Sequence, residues 1–184
     1  MKSHYYIRLS AAMTLALGVL LAGCVHMPQD SAREALLSLP YMEFDQTPGS
    51  GWRTLEKDKR HREAVVIIEQ YLKRHRELPP KESAMLHFHA AQLLATEGES
   101  RLAITHLRHA RCDGQIPGYN EFADAMRAFL RRDRDELLAI RERVGQYPPK
   151  GMTVAYQSVV DSFVERFDGS YNEVMAYEMA KKKR

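Results

Sequence analysis

The chain has 184 residues, with 27 lysines and arginines against 24 aspartates and glutamates, a formal net charge of +3 and two cysteines. That length suits one compact domain or a short repeat array. The near-neutral balance argues against nucleic acid, whose recognition favours a concentrated basic face, and two cysteines are too few for a disulfide framework.

The first element is a targeting segment. Lys2 and Arg8 precede a charge-free apolar run from Leu9 to Gly23, in which Ser10 and Thr14 are the hydroxyl residues. A positive start, a short apolar core and a small-residue end describe a secretory signal, and the run is shorter than the roughly 20 residues that a spanning helix needs. Cys24 follows directly on Leu21, Ala22 and Gly23.

This Leu-Ala-Gly-Cys stretch resembles the lipobox of bacterial lipoproteins. The resemblance implies a signal peptide over residues 1–23, cleavage before Cys24, and lipidation of Cys24 with acylation of the new amino terminus. Several acyl chains anchor firmly, since each buried methylene contributes about 0.8 kcal/mol. In that family an aspartate after the cysteine favours retention in the inner membrane; Val25 stands here, so the resemblance implies the periplasmic face of the outer membrane. Loss of Lys2 and Arg8 leaves 25 basic against 24 acidic residues, a net charge of +1. With Cys24 lipidated, Cys112 has no partner in its own chain and reads as a small, partly buried thiol.

Residues 24–51 read as a lipidated tether and lead-in, with Pro28, Pro40 and Pro48 interrupting any long helix. Ala32, Ala35, Leu36 and Leu39 predict a short helix over about 31–39. The glycines of "TPGSGW" lack both the Lys-Ser/Thr ending of a P-loop and the spacing of a dinucleotide fingerprint; Trp52 is expected to pack the first helix against its neighbour.

The body, residues 52–184, reads as all-α. In "REAVVIIEQYLKRH" Ala64, Ile68, Tyr71 and Leu72 share a face with Val65 and Val66 beside it, so this helix is expected to be sandwiched. Further helices are predicted over about 81–96, 100–111, 119–130, 136–144, 152–167 and 170–181, with turns at Gly98, "CDGQIPG", "RRDRD" and "GQYPPKG". Ser170 and Glu173 have capping-box spacing.

The pair "LHFHAAQLLATEGESRLAITHLRHA" resembles a tetratricopeptide repeat, with Gly98 at the inter-helix turn, Ala103 and Ala110 at small positions and Leu107 at the large apolar one. Ala64, Ile68 and Tyr71 repeat that spacing 39 residues earlier, against the family's period of about 34. His87 stands at the family's tryptophan position, Ala90 and Ala91 replace its Leu-Gly pair, and Asp133 and Leu138 replace the glycine and alanine of the third hairpin. The resemblance implies a short TPR-like solenoid of antiparallel helical hairpins; a helical bundle without repeat ancestry fits the same periodicity. The family's groove is lined by the first helix of each hairpin, which nominates Trp52, Arg53, His87, Gln92 and Asn120 for partner binding.

Catalytic motifs are lacking: no glycine-flanked serine nucleophile and no His-Glu-x-x-His appears. Glu43 and Asp45 flank Phe44 but offer weak evidence for paired acid/base work. His87 and His89 lie about 200° apart around their helix, whereas His106 and His109 share a face without a carboxylate or cysteine placed by sequence to complete a zinc site. The terminal "KKKR" reads as a frayed soluble tail. The expectation is a non-catalytic lipoprotein without cofactor or metal that binds another periplasmic or envelope protein. One alternative is an immunity lipoprotein that inhibits a delivered toxin; another is a metal-dependent protein using surface histidines.

Overall fold

The computed structural model describes residues 29–114 and 116–183; Cys24 and the signal segment lie outside them. Among the described residues there are helices and no strand: α1 (Gln29–Leu37), a π-helical turn (Met42–Gln46), α2 (Arg53–Lys57), α3 (His61–Arg74), α4 (Pro80–Thr96), α5 (Ser100–Leu107), α6 (Tyr119–Arg131), α7 (Arg134–Gly145), α8 (Met152–Glu165) and α9 (Tyr171–Lys181).

Local chemistry sets the boundaries. Pro80 opens α4 at its first turn, where a missing N–H is harmless. Gly98 closes the following turn with φ +76°, a left-handed conformation that glycine adopts without strain. Helix α5 stops at Leu107, short of the expected Arg111, because His109 and Ala110 donate three residues back, to the carbonyls of His106 and Leu107. The polar turn before α7 is tighter than expected. Arg132 takes a left-handed conformation and the Asp133 side chain accepts from Glu136 N at 3.0 Å, so α7 begins at Arg134. The capping box at α9 is complete: Ser170 Oγ accepts from Glu173 N at 3.3 Å, and Glu173 Oε2 accepts from Ser170 N at 2.6 Å.

Consecutive helices from α3 to α9 pack against each other, and α6 also meets α8. In α3, Ala64, Val65, Ile67, Ile68 and Tyr71 are buried among α1, α2 and α4, as a sandwiched helix should be; Val66 faces outward. Aromatic stacking carries the core along the molecule. Phe88 meets Phe122 at 5.1 Å, Phe122 stacks on Tyr156 at 5.0 Å, and Phe129 stacks on Phe163 at 4.8 Å. Ala90, Ala91, Ala103 and Ala110 are fully buried where α4 and α5 approach.

Two features go beyond hairpins stacked in sequence. From Gln29 onward the lead-in is packed: α1 lies on α3, with Arg33 Nε donating to Gln70 and Arg74 to Glu34, and Phe44 stacks on Tyr71 at 3.7 Å. At the other end α9 returns to α4, where Asn172 Nδ2 donates to the Thr96 carbonyl at 2.9 Å. Repeats in a solenoid touch only their neighbours; this contact links the second hairpin to the last. Buried Glu178 ties α9 to α8 by accepting from Ser158 and Ser162 hydroxyls at 2.8 and 2.7 Å.

Candidate functional site

The most constrained local structure is the turn from Tyr41 to Arg53. Gly51 has φ +54°, and a Cβ there would lie 1.9 Å from the Phe44 carbonyl oxygen, so only glycine lets the two backbones meet. That approach brings Trp52 over the π-helical turn and buries Asp45 completely. A buried carboxylate needs donors, and Asp45 has four. Trp52 Nε1 and His89 Nδ1 donate to Oδ1 at 2.8 Å each, while Gln46 Nε2 and the Tyr41 hydroxyl donate to Oδ2 at 2.5 and 3.1 Å. Burial raises the Asp45 carboxyl, but the hydrogen bond and charge of His89, then the bonds from Trp52 and Gln46, outweigh it and hold the group below its ordinary range. Burial, and then the Asp45 charge, push the Tyr41 phenol well up. Arg53 completes the wall: its Nε donates to the Asp45 carbonyl at 2.7 Å, and its guanidinium sits 4.2 Å from the centre of the Trp52 ring.

Between this turn, α4 and α9 opens a groove of about 650 Å³. Trp52, Arg53, His61, His89, Gln92 and Thr96 form one side; Tyr171, Asn172, Met175 and Met179 of α9 form the other. Gln92 hydrogen-bonds the Tyr171 phenol, which burial pushes up to about 12. Met179 is 62% exposed at the rim, a flexible apolar side chain of the kind adaptable binding surfaces use.

Of the five residues nominated from sequence, Trp52, Arg53 and Gln92 converge on this groove. Trp52 is nearly fully buried, so it shapes the wall more than it offers surface. The other two lie elsewhere. Asn120 braces the turn before α6, accepting from Cys112 N and donating to Cys112 O, each at 3.1 Å; Cys112 is a half-buried free thiol. His87 occupies the opposite side of α4 from His89, as their angular separation requires, and meets α5.

There His87 Nδ1 and His106 Nδ1 are 3.0 Å apart, His106 Nε2 lies 3.2 Å from Glu69 Oε1, and the His109 ring is 5.1 Å from that of His87. His106 is buried rather than at the surface. The His87 and His106 ring centres are 5.2 Å apart, close to the nitrogen separation plus the two ring radii. The nitrogens therefore face end-on, one donating and the other accepting; two imidazoles gripping one ion would converge from the side. Among the described residues no group of three or more His, Cys, Asp or Glu is placed to hold a metal ion. Glu43 is exposed while Asp45 is buried and saturated with donors, so the two acids form no working pair.

Sequence reading weighed Asp45 only as an acid beside Glu43 and His89 only as a ligand beside His87, and it did not single out Asn172 or the methionines of α9. His89 lies 44 residues from Asp45 and Asn172 lies 76 from Thr96, separations that no local pattern announces. Compared with known proteins, the chain matches no family model, no curated protein and no solved structure.

Proposed function

We propose that the protein is a non-catalytic lipoprotein, anchored through Cys24 at the periplasmic face of the outer membrane, whose TPR-like body binds another envelope protein. The observation that carries the binding reading is the groove beside Trp52. Its wall is fixed in advance by the Gly51 close approach and the four donors on Asp45, which lowers the ordering cost of association. Its opposite wall presents Met175 and Met179. The partner is a chain segment with apolar side chains for the methionines and an acceptor for Arg53. The glycine turn and buried alanines of α4 and α5 support the repeat reading. Among the described residues no helix is long and apolar enough to cross a membrane, and the lipobox supplies the anchor in this reading.

Two experiments test it. A photo-crosslinker at position 179 of the whole protein in its envelope should capture a stoichiometric partner that the same group at exposed position 141 does not; identical products at both positions reject the groove. An envelope-assembly or cell-wall protein establishes an adaptor, and a single toxin-like protein replaces that role with immunity. Cys24→Ser should leave an unprocessed, unlipidated precursor, and unchanged processing rejects the anchor.

A further inference from the structure

Outside the groove, the molecule carries a concentration of titratable rings that binding does not use. Glu69 on α3, His87 on α4, His106 on α5 and His109 in the turn that follows α5 come together at the seam where the three helices meet. Ile68, Ala103 and Leu107, neighbours in sequence of Glu69 and His106 on the same helices, are all buried.

We propose that the His87–His106 pair is an acid-release latch: with one proton between the two facing nitrogens it joins α4 to α5, and a second proton drives the helices apart.

The argument begins with the contact. A 3.0 Å approach between two imidazole nitrogens requires that one carry hydrogen and the other a lone pair. Protonation of the acceptor removes the lone pair and sets two N–H groups against each other. It also puts two positive rings at contact distance in a half-buried site, where charges are weakly screened. Glu69, facing His106 Nε2 from α3, favours the first proton; among the described residues it is the one acid acting on the pair, and it does not offset two charges.

The direction of the pH effect follows. Burial first, then the charges of His106 and His109, lower His87 from 6.5 to about 4; burial also lowers His106, with Glu69 opposing. The unfolded or opened seam binds protons on both rings from about pH 6.5 downward, whereas in the closed seam His87 stays unprotonated until about pH 4. The latch's contribution is therefore whole above pH 6.5 and lost as pH falls toward 4. Each pH unit over which opening takes up one proton shifts the opening equilibrium about tenfold.

The test is a titration of the histidine rings of the whole protein by NMR, with amide hydrogen exchange read helix by helix between pH 7 and 4.5. The latch predicts that His87 and His106 titrate as a coupled pair, the second step well below 6.5. It also predicts that the opening equilibrium of α4 and α5 rises about tenfold or more while that of α7 and α8 holds. Glu69→Gln, a change at an exposed side chain, should move the onset toward neutral pH, because the first proton loses its counter-charge. His87→Gln should cut the rise to less than about threefold. Independent titration of both rings near 6.5, or a seam whose opening does not follow the second step, overturns the proposal. The unmodified protein decides it even where His87→Gln does not fold.

Discussion

Among the described residues three carboxylates are buried, and two of them, Asp45 beside the groove and Glu178 between α8 and α9, are stabilised in different ways. Asp45 draws rigid N–H donors from distant elements: an indole from the end of the same turn and an imidazole from α4. Glu178 accepts from two serine hydroxyls one turn apart on α8 and has Lys181 and Lys182 at 3.8 and 3.5 Å on its own helix. In both, burial raises the carboxyl and hydrogen bonds more than reverse the effect, His89 leading for Asp45 and Ser162 for Glu178. The difference is in what each can tolerate. Hydroxyls rotate and lysines reach water, so the α8–α9 site can reorganise. An indole fixed by a glycine close approach cannot, and a groove wall built on it keeps its shape.

The comparison breaks hardest at Gly51. Gly51→Ala adds a Cβ at 1.9 Å from backbone at positive φ, so the Tyr41–Arg53 turn must rearrange; a loss of about 4 kcal/mol in urea unfolding is expected. Gly98→Ala, with nothing within 4 Å of its new Cβ, separates the two causes, since it suffers the backbone strain alone and should lose only about 1 kcal/mol. Next comes Asp45→Ala. It strands the Trp52 and His89 donors in a buried site and should lower stability by about 3 kcal/mol, with a change in Trp52 fluorescence that reports the freed indole. A loss below about 1 kcal/mol would show that the wall is not rigid.

This contrast explains how much was legible in advance. Helix positions, the sandwiching of α3, the opposite facing of His87 and His89, and the Ser170 capping box follow from spacing within one or two turns, which sequence displays directly. The early start of α7 was legible too, since Asp133 and Glu136 stand at capping distance, but the five charges of "RRDRD" read first as a polar turn. The site was half legible. Trp52, Arg53 and Gln92 were nominated from their place in a repeat pattern and line the groove, whereas Asp45 is hydrogen-bonded by a histidine 44 residues away, and α9 reaches α4 only because the last hairpin folds back. His87, nominated for a partner, faces His106: its angular position was readable, but which helix would cover that face was not.

Glu178→Ala sharpens the other side of the comparison. The serine hydroxyls can turn to each other or to Lys181, whose Nζ already lies 3.2 Å from Ser162 Oγ, so about 2 kcal/mol is expected, less than at Asp45. Acid unfolding gives the same ranking without mutation at the groove. Both carboxyls are held below their ordinary values of 3.8 and 4.5. Their contributions are therefore intact above those values and lost as pH falls through the lower folded ones, a window beneath that of the histidine latch. In wild type, stability should fall first from pH 6.5 and again below about 4. Glu178→Gln should remove part of the second loss and none of the first.

A small effect, no larger than that at Gly98, is expected at Ser170, and it tests whether the fold-back of α9 is set locally or by its contacts. Ser170→Ala removes one half of the capping box and should lower stability by about 1 kcal/mol. If α9 is held against α4 mainly by Tyr171, Asn172 and the Glu178 network, amide protection loss should stop within the first turn of the helix, and crosslinking at Met179 should persist. If the cap instead sets the direction in which the chain leaves α8, protection should fall along all of α9 and the groove should lose its methionine wall. The first outcome is expected. Tyr171 is nearly buried and Glu178 is 3% exposed, so tertiary contacts fix α9 at both ends, while the cap satisfies only the free amides of one exposed turn.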